Sequence, residues 1–257
     1  NTNNGEKTVY AKFTDEAGNE TTTTISDGII YDNIRATGEI TLAGGPSYAL
    51  STAETVTVSA NDDNGVAYMK FSNAGITWSS PASYTTATTS WVLAADDGPK
   101  TVYARFQDAA GLWSGPTTTI FDTITLDMSA PTGTISGFQG LTALSTIPTV
   151  TVNLICDDTV SGCSQMRFSN NGTTWSTPVT YATTTNWMLD SISDGSKTVY
   201  AQFKDTAGNW SSSVITKSIT LDSAAPTGSV VIDTYAAVAT SQTATLTLTC
   251  SDATSGC

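Results

Sequence analysis

The sequence predicts an all-β chain made of tandem two-sheet sandwiches. Three observations carry that prediction: period-two hydrophobic alternation, an internal repeat, and turn signals at short intervals. Thr149-Val150-Thr151-Val152-Asn153-Leu154 and Val199-Tyr200-Ala201-Gln202-Phe203-Lys204 alternate apolar with polar residues, the pattern of strands with one buried face. No segment combines helical periodicity with caps. Lys7-Thr8-Val9-Tyr10-Ala11-Lys12-Phe13 returns at 100–106 and again at 197–203, spaced 93 and then 97 residues apart. Each copy runs on into an Asp followed by Ala-Gly, at Asp15, Asp108 and Asp205. Two more landmarks keep the same order. Asp32, Asp127 and Asp222 lie 95 residues apart, and Phe71-Ser72-Asn73 matches Phe168-Ser169-Asn170, each leading to Trp, Tyr and Trp (Trp78, Tyr84, Trp91; Trp175, Tyr181, Trp187).

The elements follow in order within residues 128–222. Strand A is expected near 133–137, after Ala130-Pro131-Thr132-Gly133, and B over 148–156, the alternating segment above. C is expected over 163–169, ending at Asn170-Asn171-Gly172, where Asn-Gly is a strong hairpin signal. C′ is expected over 174–181 and E over 185–192. Asp194-Gly195 then turns the chain into F, 197–204, and Ala207-Gly208-Asn209 turns it into G, 211–221. About seven short strands per unit, separated by turns, read as an immunoglobulin-like β-sandwich. On this phase, 1–34 is the C-terminal part of a unit, 35–127 and 128–222 are whole domains, and 223–257 is the N-terminal part of another. The two ends together lack about 27 residues of one unit. A chain rarely starts and stops inside a folding unit, because each fragment would expose half a core, so the expectation is an elongated array of which this chain is a window.

Composition narrows the function. Ten basic against 23 acidic side chains give a formal charge of −13, with no histidine. That balance argues against nucleic acid and anionic membrane surfaces. Lack of His removes the Ser-His and Cys-His nucleophile pairs and most zinc sites. No apolar run is long enough for a membrane-spanning helix. Neither a G-x-S-x-G elbow nor a Gly-rich phosphate loop is present. The reading is therefore non-enzymatic.

Asp194-Gly195-Ser196-Lys197-Thr198-Val199-Tyr200-Ala201-Gln202-Phe203-Lys204-Asp205-Thr206-Ala207-Gly208-Asn209 resembles the F–G hairpin of bacterial Ig-like and fibronectin-III-like tandem repeats of cell-surface proteins. Ala130-Pro131-Thr132-Gly133 is similar to their interdomain start, and the resemblance covers essentially the whole chain. It implies an extracellular stalk, fibre or adhesin scaffold whose partners are neighbouring repeats of the same or an identical chain. The alternative is a carbohydrate- or ligand-binding Ig-like module attached to a secreted protein, with host or surface glycans as partners. Tyr200 departs from the family pattern. Val199, Ala201 and Phe203 share one face and Tyr200 lies on the other, so it is not a corner tyrosine.

Four cysteines make two identical frames, Cys156 with Cys163 and Cys250 with Cys257, while the first unit has Ala60 and Val66 in their place. Loss of both together is what a mutual disulfide predicts. A bridge over so short a loop contributes roughly 2.5 kcal/mol by chain entropy and places the chain in an oxidising compartment. Asp127, Asp157, Asp158 and Asp205, with the matching set Asp32, Asp62, Asp63 and Asp108, are expected at the end of the sandwich where linker, B–C loop and F–G loop meet. Converging carboxylates suit Ca²⁺, which takes six to eight oxygen ligands, and bound calcium would stiffen each joint. The alternative is that these side chains cap turns. No other cofactor is indicated. The six Trp recur at matched positions, which favours packing over a sugar-stacking platform.

Overall fold

The structure, a computed structural model, describes residues 4–42, 47–115, 119–233, 238 and 241–257. The chain divides into two compact units, Asn1–Met128 and Ser129–Cys257.

The first unit opens with an antiparallel hairpin, β1 (Gly5–Ala11) and β2 (Ile25–Tyr31), in which Lys7 faces Ile29. Eight strands follow: β3 (Thr37–Leu42), β4 (Tyr48–Ala49), β5 (Ala53–Asn61), β6 (Val66–Ser72), β7 (Ala82–Ser83), β8 (Thr89–Val92), β9 (Gly98–Asp108) and β10 (Ile120–Leu126). They form two sheets, β3-β5-β8 and β4-β10-β9-β6-β7. Alternation makes the core. Val102, Ala104 and Phe106 of β9 are at most 2% exposed and pack with Val56 and Val58 of β5 and with Ile124 and Leu126 of β10.

The second unit repeats this plan. Its strands are β11 (Thr132–Phe138), β12 (Leu144–Ser145), β13 (Thr149–Asp157), β14 (Cys163–Ser169), β15 (Val179–Thr180), β16 (Thr184–Met188), β17 (Gly195–Asp205) and β18 (Ile215–Leu221). They pair as β11-β13-β16 and β12-β18-β17-β14-β15. Val199, Ala201 and Phe203 of β17 are fully buried among Ile135, Val152, Leu154 and Ile219. A last hairpin, β19 (Thr227–Ile232) with β20 (Leu246–Ser251), closes the described chain.

Two glycines set how closely the sheets approach. A Cβ on Gly133 of β11 would lie 2.6 Å from the Phe203 ring and 2.5 Å from the Ile155 carbonyl oxygen; on Gly38 it would lie 2.7 Å from the Phe106 ring. Only a residue without Cβ lets strand and ring meet there.

The structure corrects several strand limits. The expected A strand is two elements. After β11 the chain crosses to the other sheet, where β12 pairs in parallel with β18 through Leu144–Thr220 and Ser145–Leu221. C′, expected over 174–181, shrinks to Val179–Thr180, because the Ser176 N–H turns back to the Phe168 carbonyl (2.9 Å) and Pro178 has no N–H to give. G begins at Ile215 rather than 211, because Ser211 is bonded to Phe203 in the turn.

Candidate functional site

In the first unit three carboxylates converge. β5 ends at Asn61, and Asp62 opens the loop to β6, its Oδ1 accepting the Asn64 N–H at 2.9 Å. Asp108 is the last residue of β9 and accepts the Leu112 N–H at 2.8 Å. Asp32 follows β2; its Oδ1 accepts from Asn4 Nδ2 (2.9 Å) and the Ile34 N–H (3.0 Å), and its Oδ2 from Asn64 Nδ2 (2.8 Å). Ligand oxygens of Asp32, Asp62 and Asp108 all lie within 4.8 Å of one another.

Capping does not use up these groups. Asp108 is 1% exposed, and its Oδ2 and that of Asp62 are buried with no hydrogen-bond partner. An unsatisfied buried acceptor costs about 1–3 kcal/mol. Two carboxylates at this spacing repel by about 3 kcal/mol per pair at an effective dielectric near 20. A hard divalent cation would offset both, and an all-oxygen donor set suits calcium or magnesium rather than a thiolate-seeking metal. Asp63 is exposed and lies outside the cluster.

In the second unit Asp158 and Asp205 bring their carboxylates within 4.8 Å. Asp158 Oδ1 accepts the N–H groups of Val160, Ser161 and Gly162 at 3.2, 2.8 and 2.8 Å. Asp205, 1% exposed, accepts from the backbone and side chain of Asn209, both at 2.8 Å. Asp127 belongs to the first unit, where it is fully buried just after β10. Asp157 is exposed as the last residue of β13, opposite Thr132. In the first unit Thr37 faces Asn61. The ladder therefore equates Asp157 with Asn61 and Asp158 with Asp62, one place away from the match of adjacent Asp pairs.

Both cysteine pairs are disulfides, with Cα atoms 6.4 Å apart for Cys156–Cys163 and 6.0 Å for Cys250–Cys257. The first closes the loop that Asp158 organises. That loop grips the F–G turn, with the Gly162 carbonyl accepting the Thr206 N–H at 2.9 Å and Ser161 Oγ accepting the Ala207 N–H at 3.2 Å.

The two sandwiches repeat the same aromatic contacts at matched places. Trp91 leans on Phe71 and Trp187 on Phe168, with ring centroids 5.6 and 5.4 Å apart. Tyr181 meets Phe203 edge-on and its hydroxyl accepts the Cys156 N–H at 3.1 Å; Tyr84 does the same with Phe106 and the Ala60 N–H at 2.8 Å.

No family model and no curated protein matches the chain. Among solved structures it is similar to the fibronectin(III)-like modules of CbhA from Clostridium thermocellum, at 14% identity and a TM-score of 0.40 over 71% of this chain and 93% of that one. A 1.5-MDa bacterial ice-binding adhesin matches at 18% identity and a TM-score of 0.45, over 78% of this chain and 69% of the other. A tetra-tandem repeat from the extending region of a large adhesion protein matches at 18% identity and a TM-score of 0.30; the chain spans 59% of it. At these identities the likeness concerns fold, and the strand order above stands without it. The fold is an immunoglobulin-like β-sandwich, built twice.

One motif of these sandwiches escaped the sequence reading. Ser79, Ser114, Ser176 and Ser211 each follow a Trp, and each accepts through Oγ the N–H of a Phe eight residues earlier: Phe71, Phe106, Phe168 and Phe203, at 3.0–3.1 Å. The serine N–H returns a bond to the same Phe carbonyl at 2.8–2.9 Å. The signal was present as Phe-x7-Ser with Trp before the Ser, four times over. The Trp rings are covered by cations. Lys70 lies 4.0 Å from the Trp113 centroid and Arg105 4.6 Å from Trp78; Arg167 sits over both Trp175 (5.0 Å) and Trp210 (4.2 Å). Burial, helped by the neighbouring Arg105 charge, lowers the Lys70 pKa.

Proposed function

We propose that this chain is a structural repeat segment of a long extracellular surface protein, serving as a stalk or adhesin scaffold, with its loop ends braced by calcium. The observation that carries the reading is the repetition itself: two sandwiches close their own cores on the same residues. Repetition of an acid-lined loop end at matched strand termini supports the calcium brace. Two disulfides support an oxidising, extracellular setting. The glycan-module reading finds less support, because the Trp faces that would stack on a sugar are occupied by Lys70, Arg105 and Arg167.

Calcium titration tests the brace. Adding Ca²⁺ to chelator-treated protein should raise the Tm of the first unit, by about 2.7 kcal/mol of stability at a concentration 100 times Kd. Asp108→Asn should abolish most of that gain, because it removes a ligand charge while keeping the Leu112 cap. No calorimetric heat of binding and an unchanged Tm would sink the brace. The array is tested separately by the intact mass of the source polypeptide, expected to be several times the 26.7 kDa of this chain.

A further inference from the structure

Asn-x-Ser/Thr, the acceptor pattern for an N-linked sugar, occurs three times: Asn19-Glu20-Thr21, Asn171-Gly172-Thr173 and Asn209-Trp210-Ser211. The fold separates them. Asn209 commits its side-chain nitrogen to Asp205 Oδ2 at 2.8 Å, and Ser211 is 4% exposed with its hydroxyl on the Phe203 N–H. Asn19, its counterpart in the repeat, commits its nitrogen to Asp15 Oδ2 at 2.9 Å. Asn171 and Thr173 are both exposed, in the turn that follows β14. Asn171 Oδ1 accepts the N–H groups of Thr173 and Thr174 at 2.9 and 2.8 Å and the Thr173 hydroxyl at 3.0 Å. Two backbone N–H groups aimed at one atom identify it as the oxygen. The nitrogen is left with one long bond, 3.4 Å to Thr174 Oγ1. Donors gathered on the oxygen draw electron density from the amide and make its N–H protons easier to remove.

The turn closes without this side chain. In the first sandwich Ala74 stands in its place. There Ser72 Oγ accepts the N–H groups of Ala74 and Gly75 at 3.2 and 2.9 Å, as Ser169 Oγ accepts those of Asn171 and Gly172 at 3.1 and 2.9 Å. Gly75 and Gly172 adopt matching φ angles of +70° and +74°. A shallow groove of about 370 Å³ opens beside the amide, with Asn171, Thr174, Trp175 and Trp187 in its wall. Trp187 carries no cation among the described residues, unlike Trp175, and gives the apolar face of a sugar ring an indole to lie against.

We propose that Asn171 is an N-glycosylation site, and that Asn19 and Asn209 are not. The co-substrate is a sugar activated as a diphosphate ester, brought by a glycosyltransferase. Asn171 Nδ2 attacks the anomeric carbon and forms the C–N bond. The bond from that carbon to the phosphate oxygen breaks, the diphosphate leaves with its electron pair, and the amide gives up one proton. The sugar is carried covalently rather than captured, so the cations over the other Trp rings do not oppose it. The site goes beyond the array reading, and the calcium and intact-mass tests above stand or fall independently of it.

Peptide mass mapping of the polypeptide isolated from its source tests the proposal. The peptide holding Asn171 should carry a sugar mass, and the peptides holding Asn19 and Asn209 should carry none. An amidase that cleaves the Asn–sugar bond should leave Asp at 171, which separates this linkage from a sugar on Thr173 or Thr174. Thr173→Ala, at an exposed turn position, should abolish the modification in the source, while Thr173→Ser should keep it. An unmodified Asn171, a sugar on Thr173 or Thr174 in its place, a sugar on Asn19 or Asn209, or modification that survives Thr173→Ala would each overturn the proposal.

Discussion

The serines that follow tryptophan show how much one hydroxyl decides. Ser211 is buried, and both its Oγ and its N–H are bonded to Phe203, itself fully buried. Ser211→Ala leaves the Phe203 N–H without a partner in the core, so the second sandwich should lose about 1–3 kcal/mol, readable as a lower urea midpoint. A second residue-scale device is Asp194, which accepts from Ser223 Oγ (2.8 Å) and N–H (2.9 Å) and from the Ala224 N–H (3.2 Å). The Ser223 hydroxyl bond, aided by these backbone bonds and by Lys197, holds its pKa below the ordinary 3.8. Because the folded value lies below the unfolded one, the clamp's stabilisation is complete above the unfolded pKa and disappears as pH falls through the folded one. The Asp194 carboxyl resonance should therefore titrate below the ordinary Asp range, and Ser223→Ala should move it back up. The serine device was legible as the repeated Phe-x7-Ser spacing with Trp before each Ser; the Asp194 clamp was not. Asp near a turn is too common to single out, and its partner lies 29 residues away.

At the scale of elements, strands came through where alternation was long and failed where pairing was short. The eleven-residue strand β17 announces itself through Val199, Ala201 and Phe203, and its inward face settles why Tyr200 is no corner residue. The cross-sheet tie belongs instead to Tyr181, through its bond to Cys156. Two-residue strands such as β12 and β15 leave no periodicity to detect, since their pairing is decided by the strand they lie beside. The B–C loop was legible as a disulfide frame because its two cysteines vanish together in the first unit. Replacing Cys156 and Cys163 jointly by Ser should cost the second sandwich about 2.5 kcal/mol without unfolding it, since the first sandwich closes the same loop with Ala60 and Val66. Thermal melts should show only the second transition moving. The acidic loops were half legible. Asp32, Asp62 and Asp108 meet as the turn positions suggested, but Asp63 and Asp157 do not join, because sequence adjacency says nothing about which of two neighbours faces inward from a strand end.

For the whole molecule, acidity and repetition act together. A charge of −13 with both signs sparse keeps copies soluble and discourages edge pairing, while each sandwich completes its own core and so folds without waiting for the next. The parallel pair β12–β18 adds something that stability alone does not describe. β12 lies near the entry of the second sandwich and β18 at its exit, joined by the Thr220 N–H to Ala143 and the Asp222 N–H to Ser145. When tension pulls the entry and exit of such a unit apart, two parallel strands slide against each other, and those bonds are strained in shear together rather than peeled one by one. A tether made of these units would then extend in discrete steps, each sandwich holding until its own clasp gives way.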